Sequence, residues 1–261
     1  MSILFMLKLI SDEEILKRYP MRGKIEVQGH TINIPAVYKG EGLTAVFPIS
    51  YNKAVKMISS SDLKPARLSF TKALLSVTAF NFLESPIGPY TELVYSIPVF
   101  YKPKFNFPLI PLLFNKFSKK FGFYVLDILQ STKIAVAHGN LLTGYPHNEN
   151  LIKIEFTHKG IDLVVKAYDN TKEILTFCGI KKKGRGHIKD FYMTYFEKEK
   201  RLSKIQMDIH GVENKFSKCS FIAGNSKLAS IFYMLGASSK PLQVRYYPYV
   251  IEVNPVSCES L

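Results

Sequence analysis

Six histidines, His30, His138, His147, His158, His187 and His210, are the side chains of this 261-residue chain that titrate nearest neutral pH. No pair stands four residues apart with a third ligand close by, so no metal centre is expected. The cysteines, Cys178, Cys219 and Cys258, are scattered and odd in number. They offer neither a disulfide framework nor zinc spacing and fit a reducing cytoplasm. No G-x-S-x-G elbow and no specific phosphate loop is present, and no cofactor is expected. Two places remain where chemistry can sit. One is the turn Gly144-Tyr145-Pro146, followed directly by His147 and Asn148. The other is Glu92, a carboxylate inside an apolar, β-branched stretch. The basic run Gly179–Lys189 has two interior glycines and can hold a phosphate or a nucleic-acid backbone. The reading preferred for it is a solvated turn between strands.

These residues need a scaffold. With 47% hydrophobic residues the chain can bury a substantial core. No linker is visible, so one domain over 1–261 is expected. The net charge of +14 draws nucleic acid, anionic membrane or acidic small molecules, but it also fits a soluble protein from a lysine-rich proteome. The aromatic content of 13% could stack bases, yet no nucleic-acid signature accompanies it. The opening MSILFMLKLI is too short to span a membrane and lacks a small-residue cleavage site. It is read as the start of a docked helix, a secretory signal being the alternative, with Ser11 and Glu14 forming a capping box for SDEEILKRY.

Local patterns predict mostly strands. A hairpin is expected around Gly29, and a helix is expected after the cap Ser50. Strands are expected over 66–82 and 91–101, split by the turn Glu84–Pro89, and again over 122–131. Two strands should meet at Lys159-Gly160, and further strand character is read over 172–182, 192–212 and 218–225. A late helix should end near Gly236, before a closing strand over 242–256. The segment 101–122 mixes prolines, aromatics and lysines, and is read as a flap over a pocket, with an oligomer contact or a membrane-touching surface as alternatives.

Several motifs in order resemble the acetoacetate decarboxylase family. PIGPYTELVYSIPV (86–99) resembles its G-x-Y-x-E strand. IAVAHGNLLTGYPHNENLIKIEF (134–156) resembles its A-G-R-E-x-x-G-Y-P-K-K signature. YPMRG (19–23) resembles its P-R-G element, and GNSKLASIFYMLGASSKPLQVRYYPYVIEV its closing helix and strand. Relative to that family, the segment 101–122 reads as an insertion. The resemblance implies a mainly β fold with peripheral helices, a curved antiparallel sheet closing into a cone or barrel, an internal pocket and a homo-oligomer. It also implies Schiff-base decarboxylation by a lysine whose pKa is lowered by burial and a neighbouring cation.

The chain departs from that chemistry. His147 and Asn148 occupy the two lysine positions, and Asn140 and Leu141 replace the arginine and acid of A-G-R-E. An imidazole cannot form a stable iminium, because its nitrogens lack the two hydrogens required. The resemblance leaves Glu92 as a pocket carboxylate and Arg22 as a partner for an anionic group. Tyr90, Tyr145 and Asn148 become candidate ligand contacts, and His147 and Glu92 the candidate acid–base pair. The expected function is binding of a small anionic or keto-containing molecule, with acid–base rather than decarboxylating chemistry. The alternatives are a non-catalytic binding or structural protein on the same fold, or docking on nucleic acid or membrane through Lys116, Lys119, Lys120 and Lys181–Lys183.

Overall fold

The computed structural model describes residues 17–108, 120–199, 201–254 and 259–261. The expected Ser11 cap, Lys116, Lys119 and most of the flap lie outside the described residues. The chain opens with a two-stranded hairpin, β1 (Gly23–Val27) and β2 (His30–Ile34). Its two-residue turn has positive φ at Gln28 (48°) and Gly29 (83°), the conformation that matches strand twist in tight hairpins. The long strand β3 (Ala36–Ser50) follows. It ends where Ser50 caps helix α1 (Tyr51–Met57), its side chain accepting from the Lys53 amide at 3.5 Å.

The remaining strands are β4 (Leu63–Pro65), β5 (Lys72–Glu84), β6 (Tyr90–Tyr101), β7 (Phe121–Gln130), β8 (Ile152–Lys159), β9 (Asp162–Asp169), β10 (Lys172–Lys198), β11 (Arg201–Ala223), β12 (Gln243–Asn254) and β13 (Glu259–Ser260). Helix α2 (Lys133–Leu142) lies between β7 and β8, and α3 (Ser230–Leu235) between β11 and β12. Antiparallel pairing runs β10–β11–β12–β3–β5–β6–β7. Met193–Tyr195 of β10 then pair in parallel with Gly122–Tyr124 of β7. Seven strands therefore close a ring. Gly122 permits the seam, because a Cβ there would stand 2.3 Å from the Met193 carbonyl oxygen.

Period-two alternation divides the ring into two faces. Outside, Leu43, Phe47, Leu75, Val77, Leu93 and Ile97 pack beneath the β8–β9 hairpin and α3. Inside, Tyr38, Phe82 and Tyr90 meet Ala135 and Leu142 of α2, while Val125, Ile128, Phe196 and Ile205 surround Tyr145. The mainly β architecture expected from the sequence is present, and so is the closed sheet.

Three local expectations are corrected. The basic run Gly179–Lys189 is not a turn but the middle of β10, with register shifts at 178/180 and 182/186 that absorb its glycines. The strand predicted from Ala66 starts at Lys72, the preceding residues being irregular. The late helix is a 3₁₀ turn, Lys227–Ala229, followed by α3 and ended by Gly236 in the left-handed conformation. Among the described residues, no helix is long and apolar enough to cross a membrane.

Candidate functional site

The inner face of the ring concentrates ionisable groups. On β6, Tyr90, Glu92 and Val94 alternate inward. Register sets Gln130 of β7 opposite Glu92. Its Nε2 donates to Glu92 Oε2 at 2.8 Å, and the Tyr90 hydroxyl donates to the same oxygen at 3.5 Å. On β12, Glu252 stands opposite Tyr38 of β3. Tyr192 of β10 completes the group, its hydroxyl close enough to the Glu252 carboxyl to favour the ionised form. The Glu252 Oε2 atom itself is buried without a hydrogen-bond partner. Glu92, Val94, Tyr192 and Glu252 each keep some accessible surface although they sit on strands of a closed ring. That residual surface lies on the inner face of the ring.

Burial pushes the Glu92 carboxyl up to about 7, against the two hydrogen bonds that favour its charge. Burial and then the charge of Glu92 push Glu252 up to about 8. Among the described residues no cation pairs with either.

The histidines reach the site through α2 and its following turn. Thr132 caps α2, accepting from the Ala135 amide at 3.2 Å, and Thr143 closes it on the Gly139 carbonyl at 2.8 Å. The chain then runs beside β7, where His147 forms a parallel bridge with Ile128. The Ile128 amide donates to the Pro146 carbonyl and the Asn148 amide donates back to the Ile128 carbonyl, each at 2.9 Å. The Cε1–Nε2 edge of the His147 ring abuts Gly139; a Cβ there would stand 2.2 Å from Cε1. Both ring nitrogens of His147 are buried without hydrogen-bond partners. Burial, with the neighbouring His138, lowers its pKa to about 4, only partly offset by the Gly139 backbone. Burial alone brings His138 to about 4, and its Nε2 meets the Tyr38 hydroxyl at 3.4 Å. Both imidazoles are therefore neutral at pH 7.

Of the residues predicted from sequence, Glu92, Tyr90, Tyr145 and His147 face this interior. The Tyr145 hydroxyl is held by Thr194 Oγ1 at 2.5 Å and serves the packing there. Asn148 fixes the turn: its Nδ2 donates to Asp127 Oδ2 at 3.0 Å and its Oδ1 accepts from Asn150. Arg22 lies exposed at the start of β1, its amide donating to the Ile34 carbonyl at 2.7 Å. Sequence reasoning passed over Glu252, Tyr192, Gln130 and Tyr38, and saw His138 only as a motif position. A lone acid within the apolar run YVIEV was the available signal for Glu252. A separate concavity of about 220 Å³ lies elsewhere, lined by Arg18, His187, Lys189, His210 and Tyr249.

No family model and no curated protein sequence matches the chain. Solved structures do. An acetoacetate decarboxylase from Legionella pneumophila superposes with TM-score 0.65 at 14% identity, covering 95% of this chain and 94% of its own. An acetoacetate decarboxylase-like enzyme from Sphingomonas wittichii gives 0.54 at 12% identity, over 87% and 93%. The enduracididine biosynthesis enzyme MppR, complexed with the condensation product of pyruvate and imidazole 4-carboxaldehyde, gives 0.56 at 10% identity, over 87% and 88%. The chain has the acetoacetate decarboxylase-like fold.

Proposed function

We propose that this chain binds a small keto-containing molecule inside the ring and exchanges protons with it through Glu92 and Glu252, without an amine nucleophile. The observation that carries the reading is the pair of enclosed carboxyls, both displaced toward neutral pH with no cation beside them among the described residues. Such a pair holds acid and base together at pH 7. The protonated member can donate to a ketone oxygen while the ionised member takes a proton from the adjacent carbon, which is enolisation. The absence of an amine at His147 and Asn148 argues against an iminium.

Of the two ligand classes open at the outset, the keto-containing one is favoured, because two carboxyls and two neutral imidazoles give an anion no counter-charge. That the fold neighbour MppR has been obtained complexed with pyruvate supports a carbonyl compound in this scaffold.

The test is deuterium exchange into acetone and acetylacetone, followed by NMR. Wild type should exchange the α-protons faster than buffer, and Glu92→Gln and Glu252→Gln should each abolish the gain. Ligand shift changes without exchange would reduce the chain to a binding protein. Neither exchange nor shift changes would overturn the proposal.

A further inference from the structure

A second acid–histidine pair stands outside the ring. Glu41 of β3 is 4% exposed at its side chain, and every contact it makes is with a donor. Its Oε1 accepts from Asn81 Nδ2 at 3.1 Å. Its Oε2 accepts from the Tyr246 hydroxyl at 2.9 Å and pairs with His158 Nε2 at 3.0 Å. The other nitrogen of His158 (β8) faces Lys181 Nζ of β10 at 3.3 Å. An ammonium has only donors, so Nδ1 accepts from Lys181 and Nε2 carries the proton given to Glu41. This tautomer satisfies both contacts. The result is a carboxylate, an imidazole and an amine in line, the order in which an orienting acid, a base and a nucleophile are placed for acyl transfer. The carboxylate end is sealed, whereas the His158 side chain is 29% exposed and Lys181 is half-buried, so a reagent can reach the amine.

The geometry points to Lys181 as a self-acylating amine that takes an acyl group from an activated small donor, an acyl phosphate or a thioester. The ammonium first loses one proton to water. The Nζ–carbon bond then forms and the bond from the acyl carbon to phosphate oxygen or thioester sulfur breaks. The proton leaving Nζ passes to His158 Nδ1, where Glu41 stabilises the imidazolium, and then to the departing phosphate or thiolate. An amide and a free phosphate or thiol are the products. Nothing is oxidised. Lys182 and Lys183, exposed on the same strand, are internal controls.

The experiment uses the full chain with limiting acetyl phosphate and, separately, S-acetyl-N-acetylcysteamine, with sites ranked by peptide mass mapping. Lys181 should be modified first, on the order of a hundredfold faster than Lys182 and Lys183, the low end of what a positioned base contributes. His158→Gln, at an exposed strand position, should bring Lys181 down to the rate of its neighbours with the circular dichroism spectrum unchanged. The ranking within wild type needs no variant and decides the matter if His158→Gln fails to fold. Modification of Lys181 no faster than Lys182 and Lys183 would overturn the proposal. So would an advantage that survives in folded His158→Gln.

Discussion

Glu41 and the Glu92–Glu252 pair are all carboxyls within one sheet, yet the protein treats them in opposite ways. Outside the ring, Glu41 accepts from Asn81 and Tyr246 and meets His158, so each oxygen is occupied. Inside, Glu92 is held by neutral donors only, and Glu252 keeps an oxygen with no partner. A buried charge is tolerated where enough hydrogen-bond donors replace its water. Where they are missing, the group takes up a proton instead. The contrast separates a carboxylate whose three donors hold the β8–β9 hairpin to the ring from inner carboxyls with fewer donors.

The sharpest way to break the comparison is substitution. Glu41→Leu strands three donors and should cost about 3 kcal/mol or more in urea unfolding at pH 7. Glu92→Gln and Glu252→Gln remove charges without compensation and should leave stability unchanged or raised at pH 8. A loss in either matching that of Glu41→Leu would erase the distinction.

The pH dependence of stability sharpens it next. Carboxyls raised to about 7 and about 8 contribute stability that is complete below pH 4.5 and lost as pH rises through those values. His138 and His147, lowered to about 4, contribute stability that is complete above pH 6.5 and lost as pH falls through 4. The two slopes oppose one another between 4.5 and 6.5. Stability should therefore be nearly flat there and fall between 6.5 and 8, by at most about 1.4 kcal/mol per pH unit for each carboxyl. Urea midpoints across that range measure it, and the double variant Glu92→Gln/Glu252→Gln should remove the fall.

A smaller effect is expected at Gly139. Alanine ordinarily favours a helix interior, but here its methyl would meet the His147 ring. Gly139→Ala should cost about 1–3 kcal/mol, read by thermal unfolding. A gain would mean that the ring is not held against α2. Smallest is the contrast of two tyrosines. Tyr246→Phe removes a 2.9 Å donor from Glu41 and should cost about 1.5 kcal/mol, whereas Tyr90→Phe removes a 3.5 Å contact and should cost less.

Much of the fold was written in local pattern: the Gln28-Gly29 turn, the Ser50 cap, the break over Glu84–Pro89 and the stop at Gly236 each have a short-range cause. Helix α2 escaped because His138, Gly139 and Asn140 interrupt its apolar spacing, and its stability comes from packing against the ring. The β10 run escaped because its lysines and glycines read as a turn, while its pairing partners come from β9 and β11. The site was half legible. Glu92 and His147 stood beside recognisable motifs. Glu252 and Tyr192 join them only because a closed ring brings distant strands face to face, which no short-range spacing encodes.

The seam between β7 and β10 has a kinetic meaning. Six junctions of the ring are long antiparallel ladders, while the seventh is three parallel residue pairs at a glycine. Such a ring is a hoop with a clasp, and a hoop under thermal agitation springs at its clasp. Amide hydrogens that bridge β7 and β10 at the seam should exchange before those of β5, and the dwell time of any molecule held within the ring then becomes a matter of how often the clasp lets go.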